Sequence, residues 1–355
     1  MVRILHAADF HLDSAYAALS EDRARQRRQE SRELVGKLVD YANDHGVELM
    51  LLSGDLFDSD ETYAQTGEVL SEALGRFSGQ VVIAPGNHDC YHARSAYVRL
   101  SWPENVHIFT DDRLSRFDFP QYGCDVYGAA FTSPTSSQCV LPHALPEDGT
   151  VHIGVLHGDL GVRESRYRPI MAEEIAASGL HYLALGHIHA YSGVLRAGKT
   201  AYAYPGCLEG RGFDETGEKG FLLGDVGTDK VDLTFVPFAR RRYQVLELDA
   251  GDDPETKLPE DASTDIYRII LTGEIDAPID RDALQRELAG RFYHLEVRDQ
   301  TRLRRDLWEG CGEDSLRGLF LQEMRRRYDA ASTDQRPTIE QAVRFGLAAM
   351  DNREV

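Results

Sequence analysis

Five short segments of this sequence carry side chains that could hold metal ions: Asp9-Phe10-His11, Gly54-Asp55-Leu56-Phe57-Asp58, Gly86-Asn87-His88-Asp89, His157-Gly158 and Gly186-His187-Ile188-His189. Their mixture of imidazole and carboxylate suits manganese, iron or zinc better than calcium or magnesium. The Asp9/His11 and His187/His189 pairs have i, i+2 spacing, which on extended backbone sends both side chains of a pair to one side. Each pair could then serve one metal centre. Gly54, Gly86, Gly158 and Gly186 allow tight turns without a Cβ clash. A single pair would be a weak signal, because a lone histidine is more often a satisfied structural residue. Five motifs in order, each after an apolar run, make a metal site the better reading.

Those residues need elements to position them. Apolar, β-rich runs at 3–7, 48–53, 81–84, 151–156 and 182–185 predict strands. Helical spacing of Leu34, Val35, Leu38, Val39 and Ala42, and of Val69, Leu70, Ala73, Leu74 and Phe77, places helices between the early strands. The alternation predicts an α/β (α+β layered) domain, central β-sheets flanked by helices, with the site at strand ends. From 192 to 248 the strands follow closely, which suggests hairpins rather than crossovers. The acidic stretch 251–264, with Pro254 and Pro259, is expected to be an exposed linker.

Beyond the linker, a strand at 266–271, a helix at 281–288 and a strand at 292–297 make a small α/β unit. Apolar stripes at Leu316, Leu319, Phe320 and Met324, and at Ile339, Ala342, Val343, Leu347 and Met350, predict helices over 313–328 and 338–350. Thr338 and Gln341 offer the second helix a capping box. The expected domains are 1–250, 251–310 and a C-terminal helical segment, 311–355, whose stripes could dock on a partner or pack on each other.

Composition narrows the class. With 355 residues and 42% hydrophobic content the chain can bury a full core. No run approaches the ~18 apolar residues needed to span a bilayer. The N-terminus leads at once into the polar stretch His6 to His11 rather than an apolar signal region. Five scattered cysteines, with no CxxC pair, fit free thiols in a reducing compartment. A cytoplasmic protein is therefore expected. The net charge of −20 argues against coating nucleic acid through the whole surface. Arginine clusters at 23–32, 240–242, 302–305 and 325–327 could still form a local basic track, the first being the foremost candidate. The alternative is that nearby acids balance each of them.

The order of the five motifs resembles the calcineurin-like metallophosphoesterases. The resemblance implies that Asp9, His11 and His189 bind one metal, that Asn87, His157 and His187 bind the other, and that Asp55 bridges both. Two such cations polarise a phosphoryl group and lower the pKa of a shared water from 15.7 towards ~7, so the nucleophile is hydroxide. Asn87 is a neutral ligand and leaves its metal more electrophilic than a carboxylate would. His88 cannot easily reach the same ion and is free to protonate the leaving oxygen, worth typically ~10² to 10⁴ in rate. The family pattern has Asp58 contact and orient His88, with Asp89 structural. As a plain alternative, Asp58 could cap a helix ahead of Thr62.

Finer sequence bears on the substrate. Asp58 is followed by Ser59, not by the arginine of the phosphatase form. The segments Tyr204-Pro205-Gly206-Cys207-Leu208-Glu209-Gly210-Arg211 and Glu215-Thr216-Gly217-Glu218-Lys219-Gly220-Phe221 resemble SbcD-type DNA repair nuclease subunits and their shorter YhaO-type relatives. That resemblance covers roughly residues 1–245. It implies a DNA exonuclease or endonuclease in repair or recombination, manganese-dependent, homodimeric and coupled to an SMC-like coiled-coil ATPase. It also makes the small α/β unit a capping domain that positions DNA. Asp13 departs from the longer pattern, which has glycine there, and so bears on the shape of the DNA-facing loop. Two other classes remain: a metallophosphoesterase acting on a small nucleotide or other small phosphodiester, and a scaffold without turnover.

Overall fold

The computed structural model describes residues 1–350 except 60, 61, 253, 260 and 305. Each apolar run ahead of a motif is a strand buried on both faces. The first sheet is built from β1 (Val2–Ala7), α1 (Glu21–Asp44), β2 (Leu49–Leu52), α2 (Ala64–Gly75), β3 (Gln80–Ile83), α3 (Ala96–Arg99) and β4 (Val106–Ile108). Strands β1 to β4 are parallel neighbours. The second is built from β5 (Ser115–Phe119), β6 (Cys124–Gly128), β7 (Val151–His157), α4 (Ala172–Ser178), β8 (Tyr182–Gly186), β9 (Leu195–Ala197) and β10 (Thr200–Ala203), in the order β5-β6-β7-β8-β10-β9. A hairpin of β11 (Gly220–Val226) and β12 (Val231–Pro237) returns to the first sheet, giving β12-β11-β1-β2-β3-β4.

The period-2 alternation of each strand divides its side chains between two cores. Val2, Ile4, Leu49, Leu51 and Val82 meet Val126, Ile153, Val155, Tyr182 and Ala184 between the sheets. Leu5, Ala7, Met50, Leu52 and Ile83 face the other way, onto Leu34, Leu38, Leu70 and Leu74 of α1 and α2. On the outer face of the second sheet Leu156, Leu183 and Leu185 pack with Ile175 of α4. The layered α/β expectation holds. The hairpins expected over 192–248 are present too, but they complete two different sheets, and β10 lies parallel to β8.

Downstream are β13 (Tyr243–Asp249), α5 (Pro254–Lys257), β14 (Ala262–Thr272), β15 (Glu274–Ile275), α6 (Arg281–Leu288), β16 (Phe292–Asp299), β17 (Arg302–Leu303), α7 (Leu316–Ala330) and α8 (Arg336–Met350). The stretch read as a linker thus carries a helix and the start of a strand, with Leu258 and Ala262 buried. The chain divides into two compact units. One is Met1–Leu246 with Pro259–Ile269 and Gln285–Glu296, and the other is Glu247–Leu258 with Ile270–Leu284 and the chain from Val297 onward.

In the second unit α7 and α8 pack on each other, with Leu321 and Val343 buried. Leu316 and Leu319 of the first apolar stripe are 76% and 58% exposed. Thr338 is not a cap, because α8 already begins at Arg336; instead the Ser332 N–H donates to Gln335 Oε1 just upstream. Among the described residues no helix is long and apolar enough to cross a membrane.

The arginine clusters mostly meet acids. Arg27 is fully buried, donating to Glu30 at 3.1 Å and to Glu209 at 2.8 Å, and Arg241 donates to both oxygens of Glu30. Arg242 pairs with Asp265, Arg304 with Asp276, and Arg326 and Arg327 with Glu323. Arg305 lies outside the described residues. The segment 23–32 is therefore not one free basic face: Arg32 is tied to Asp13 and Arg23 to His294.

Candidate metal centre

All five motifs sit at or just beyond the carboxyl ends of parallel strands: β1, β2 and β3 from one sheet, β7 and β8 from the other. The backbone there is not extended, contrary to the expectation for the i, i+2 pairs. Asp9, His11, Asp55 and His187 have φ of 53°, 44°, 50° and 112°, four of the eight positive values among described non-glycine residues. Each such residue costs on the order of 1–3 kcal/mol and persists only where its surroundings enforce it. Here the first two motifs run side by side, with Asp9 N–H donating to Gly54 O at 3.0 Å, His11 N–H to Asp55 O at 2.9 Å and Asp58 N–H to Leu12 O at 3.0 Å. Close approach explains the glycines: a Cβ on Gly186 would run into the Ser53 carbonyl, and one on Gly86 into the Asp55 carboxylate.

Asp13 also has a left-handed φ, 71°, where the longer relatives' pattern has glycine. Aspartate tolerates this region better than most side chains. Its carboxylate accepts from Tyr63 N–H at 3.0 Å and Thr66 Oγ1 at 2.7 Å, so Asp13, not Asp58, serves the start of α2. Asp89 is buried and ties the motifs together, accepting from Gly86 N–H, Leu56 N–H and the Tyr97 hydroxyl at 2.8, 2.7 and 2.6 Å. Burial raises its pKa to about 6.

The side chains converge in three groups, one of which, His11, Asp58 and His88, shares His11 with another and lies at the rim. Ligand atoms of Asp9, His11 and His189 lie within 4.8 Å of one another, and so do those of Asp55, His157 and His187. Asp55 Oδ2 stands between, 3.7 Å from His11 Nε2 and 3.3 Å from His157 Nε2. Asn87 Oδ1 is 3.0 Å from His157 Nε2 and 3.1 Å from His187 Nδ1.

The imidazoles are oriented to suit cations. His157 Nδ1 donates to the Ser53 carbonyl at 2.8 Å, and a carbonyl can only accept. In its neutral form His157 therefore turns a bare Nε2 lone pair, the form in which imidazole binds a metal, towards the oxygens of Asn87 and Asp55. His11 Nδ1 donates to Asp58 Oδ1 at 3.1 Å and His189 Nδ1 to Glu215 Oε1 at 2.7 Å. Their Nε2 atoms face each other at 3.2 Å. Lone pairs pointed at lone pairs repel unless a positive charge lies among them, so the donor set fits divalent cations. Outer acceptors that fix each imidazole are the usual support of metal-ligating histidines.

Where no cation is bound, a proton on His157 takes the place of that positive charge. Burial opposes charge on His157, but Asp55 and Asp9 outweigh it and raise the imidazole to about 9. Burial lowers His11 and His187 to about 4 and raises Asp9 to about 6. Asp55 is held below the usual carboxylate range: burial works against its charge, and His157 and His11 overcome it.

His88 lies exposed at the edge of the centre, its ring 4.9 Å from that of His11. Its N–H donates to Asp55 Oδ1 at 2.9 Å, and its Nδ1 donates to the main-chain carbonyl of Asp58 at 3.0 Å. The Asp58 carboxylate is engaged elsewhere, by His11 and by Arg211 Nη1 at 2.8 Å. The hydrogen bond to the His88 ring is thus made by the Asp58 backbone, while the Asp58 carboxylate lies within 4.8 Å of a His88 ring nitrogen.

Four groups that the structure brings to the site have no role assigned from sequence. These are Ser53 O, Asp159, which lies 3.3 Å from His187 Nε2, and the pair Arg211 and Glu215. For the last two a signal existed, since both lie in the late segments singled out above.

A family model for calcineurin-like phosphoesterases matches residues 2–191, more than half of the 355. The chain belongs to this family. Membership implies divalent cations at the centre. This calcineurin-like phosphoesterase is 32% identical over 266 residues to the uncharacterized metallophosphoesterase YhaO of Bacillus subtilis, covering 71% of this chain and 64% of that protein. It is 24% identical over 259 residues to the SbcD subunit of the nuclease SbcCD of the same organism, covering 61% and 64%. It is also 24% identical over 377 residues to the DNA double-strand break repair protein Mre11 of Saccharolobus solfataricus, covering 97% and 95%. The matches to the two Bacillus proteins thus span just under two thirds of their length.

Proposed function

We propose that this phosphoesterase is a two-metal DNA nuclease of the SbcD type, with Asp9, His11 and His189 on one ion, Asn87, His157 and His187 on the other, and Asp55 shared. The observation that carries the reading is Asp55 between two groups of inward-facing imidazole nitrogens. Two divalent cations supply Lewis acidity to a phosphoryl group and acidify water. Because the Asp58 carbonyl can only accept, Nδ1 of His88 keeps its proton, and the proton given to the leaving oxygen is the one on Nε2. The main chain of Asp58 holds that imidazole at the rim, and the shared carboxylate holds the His88 main-chain N–H.

DNA as substrate and a role in repair are supported by the nuclease SbcCD subunit and the Mre11 DNA double-strand break repair protein among the relatives; manganese as the ion, a homodimer, an SMC-like ATPase partner and a capping role for the segment after 250 rest on the resemblance alone. A cytoplasmic site of action is in keeping with five cysteines that form no disulfide. The test is digestion of end-labelled single- and double-stranded DNA with manganese, with and without chelator, beside a chromogenic diester. Chelator-sensitive DNA cleavage is expected. Fast cleavage of the small diester with DNA left intact would instead make this an enzyme of small phosphodiesters.

A further inference from the structure

The half of the centre made by Asp9, His11 and His189 is backed by a ring of charge that closes beyond the residues matched by the family model. The oxygen of Asp58 that accepts from His11 also accepts from Arg211 Nη1 at 2.8 Å. The oxygen of Glu215 that accepts from His189 also accepts from Arg211 Nη2 at 2.7 Å. One planar guanidinium therefore spans two carboxylates, and each carboxylate holds one imidazole. Arg211 is itself fixed, since its main-chain N–H donates to Glu215 Oε2 at 2.8 Å. Lys219 adds a bond from Nζ to the carbonyl of His189 at 2.9 Å.

We propose that Arg211 is a positioning residue for this half alone. Its fork keeps two carboxylates together that would otherwise repel, and through them it sets the rotamer and tautomer of His11 and His189. The other half does not depend on it, because His157 leans on a main-chain carbonyl and His187 lies beside Asp159. A lysine, with a single point charge, cannot bond both carboxylates in that fork geometry. This inference rests on the ligand assignment proposed above.

The experiment loads wild type, Arg211→Ala and Arg211→Lys with Mn2+, removes free metal, counts bound manganese per chain and records the electron paramagnetic resonance spectrum. Wild type should hold two ions with an exchange-coupled spectrum. Arg211→Ala should keep one, with the hyperfine pattern of an isolated ion, and bind the second about 10–100-fold more weakly; Arg211→Lys should change in the same direction. Two coupled ions in Arg211→Ala would overturn the inference alone, whereas a wild type holding fewer than two would overturn the ligand assignment and this inference with it. If Arg211→Ala folds poorly, Glu215→Gln decides, since it keeps the size and one acceptor but removes the charge. It should show the same selective loss, and retention of both ions there would refute the role of the ring.

Discussion

His11 and His189 are held from behind by side chains, Asp58 and Glu215 on one arginine, whereas His157 is held by the main chain of Ser53, just past the end of β2. The second arrangement comes with the fold, because wherever β2 and β7 end together the carbonyl is in place. The first must be assembled from residues 58, 211 and 215, which only the tertiary structure brings together. Similar imidazole chemistry is thus secured once by backbone and once by a ring of charges. Support of the latter kind should be the easier to remove by a single substitution.

The largest expected effect leaves both halves intact. His88→Ala should lower phosphodiester hydrolysis by about 10² to 10⁴ while bound metal per chain stays unchanged. Loss of an ion in that variant would make His88 a ligand and redraw the first half. Next is the anchor of the segment that carries Arg211. Arg27→Ala leaves Glu209 buried without its guanidinium partner, while Glu30 keeps Arg241. The change should cost about 3–5 kcal/mol in denaturant unfolding. A loss below about 1 kcal/mol, the scale of a surface pair, would show that the turn at Glu209 does not need the buried ion pair.

The mirror of Arg211 is Asp159, beside His187. Asp159→Ala should weaken the ion of the second half by about tenfold or more and spare the first, as read by calorimetric titration with manganese. Equal weakening of both ions would deny that the halves are supported separately.

Acid provides the mildest probe. Burial disfavours the charge of Glu30, but Arg241 and Arg27 prevail and lower its carboxyl from 4.5 to about 2. A carboxyl depressed in the folded state contributes stability above its unfolded value and loses it as pH falls through its folded one. The melting temperature of metal-free protein should therefore drop between pH 4.5 and about 2, and Glu30→Gln should flatten that part of the curve. An unchanged slope in the variant would show that Glu30 is not the group responsible.

The strands ahead of the motifs were legible because burial on both faces leaves near-continuous apolar runs such as Leu49–Leu52. Short edge strands such as β4 and β5 were not, since alternation over only three to five residues is too brief to stand out. The groups of candidate ligands were legible from motif order, but not their backbone: the left-handed φ of Asp9 and His11 depends on the neighbouring Gly54–Asp55 segment, which no local pattern reveals. His6 shows the limit of residue type alone. It stands three residues before Asp9 yet is a core histidine, bonded to Tyr182 Oη at 2.7 Å and Ser53 Oγ at 3.0 Å. Arg211 and Glu215 were visible as motif letters without a purpose, because their partners Asp58 and His189 lie 153 and 26 residues away in sequence.

A shared centre requires one carboxylate to serve both halves. Calorimetric titration of Asp55→Asn with manganese, against wild type, tests this most directly. Both binding steps should weaken together, since the residue lies within 3.7 Å of an imidazole nitrogen from each half. If one ion still bound with wild-type affinity, Asp55 would belong to a single half and the shared centre described here would be wrong.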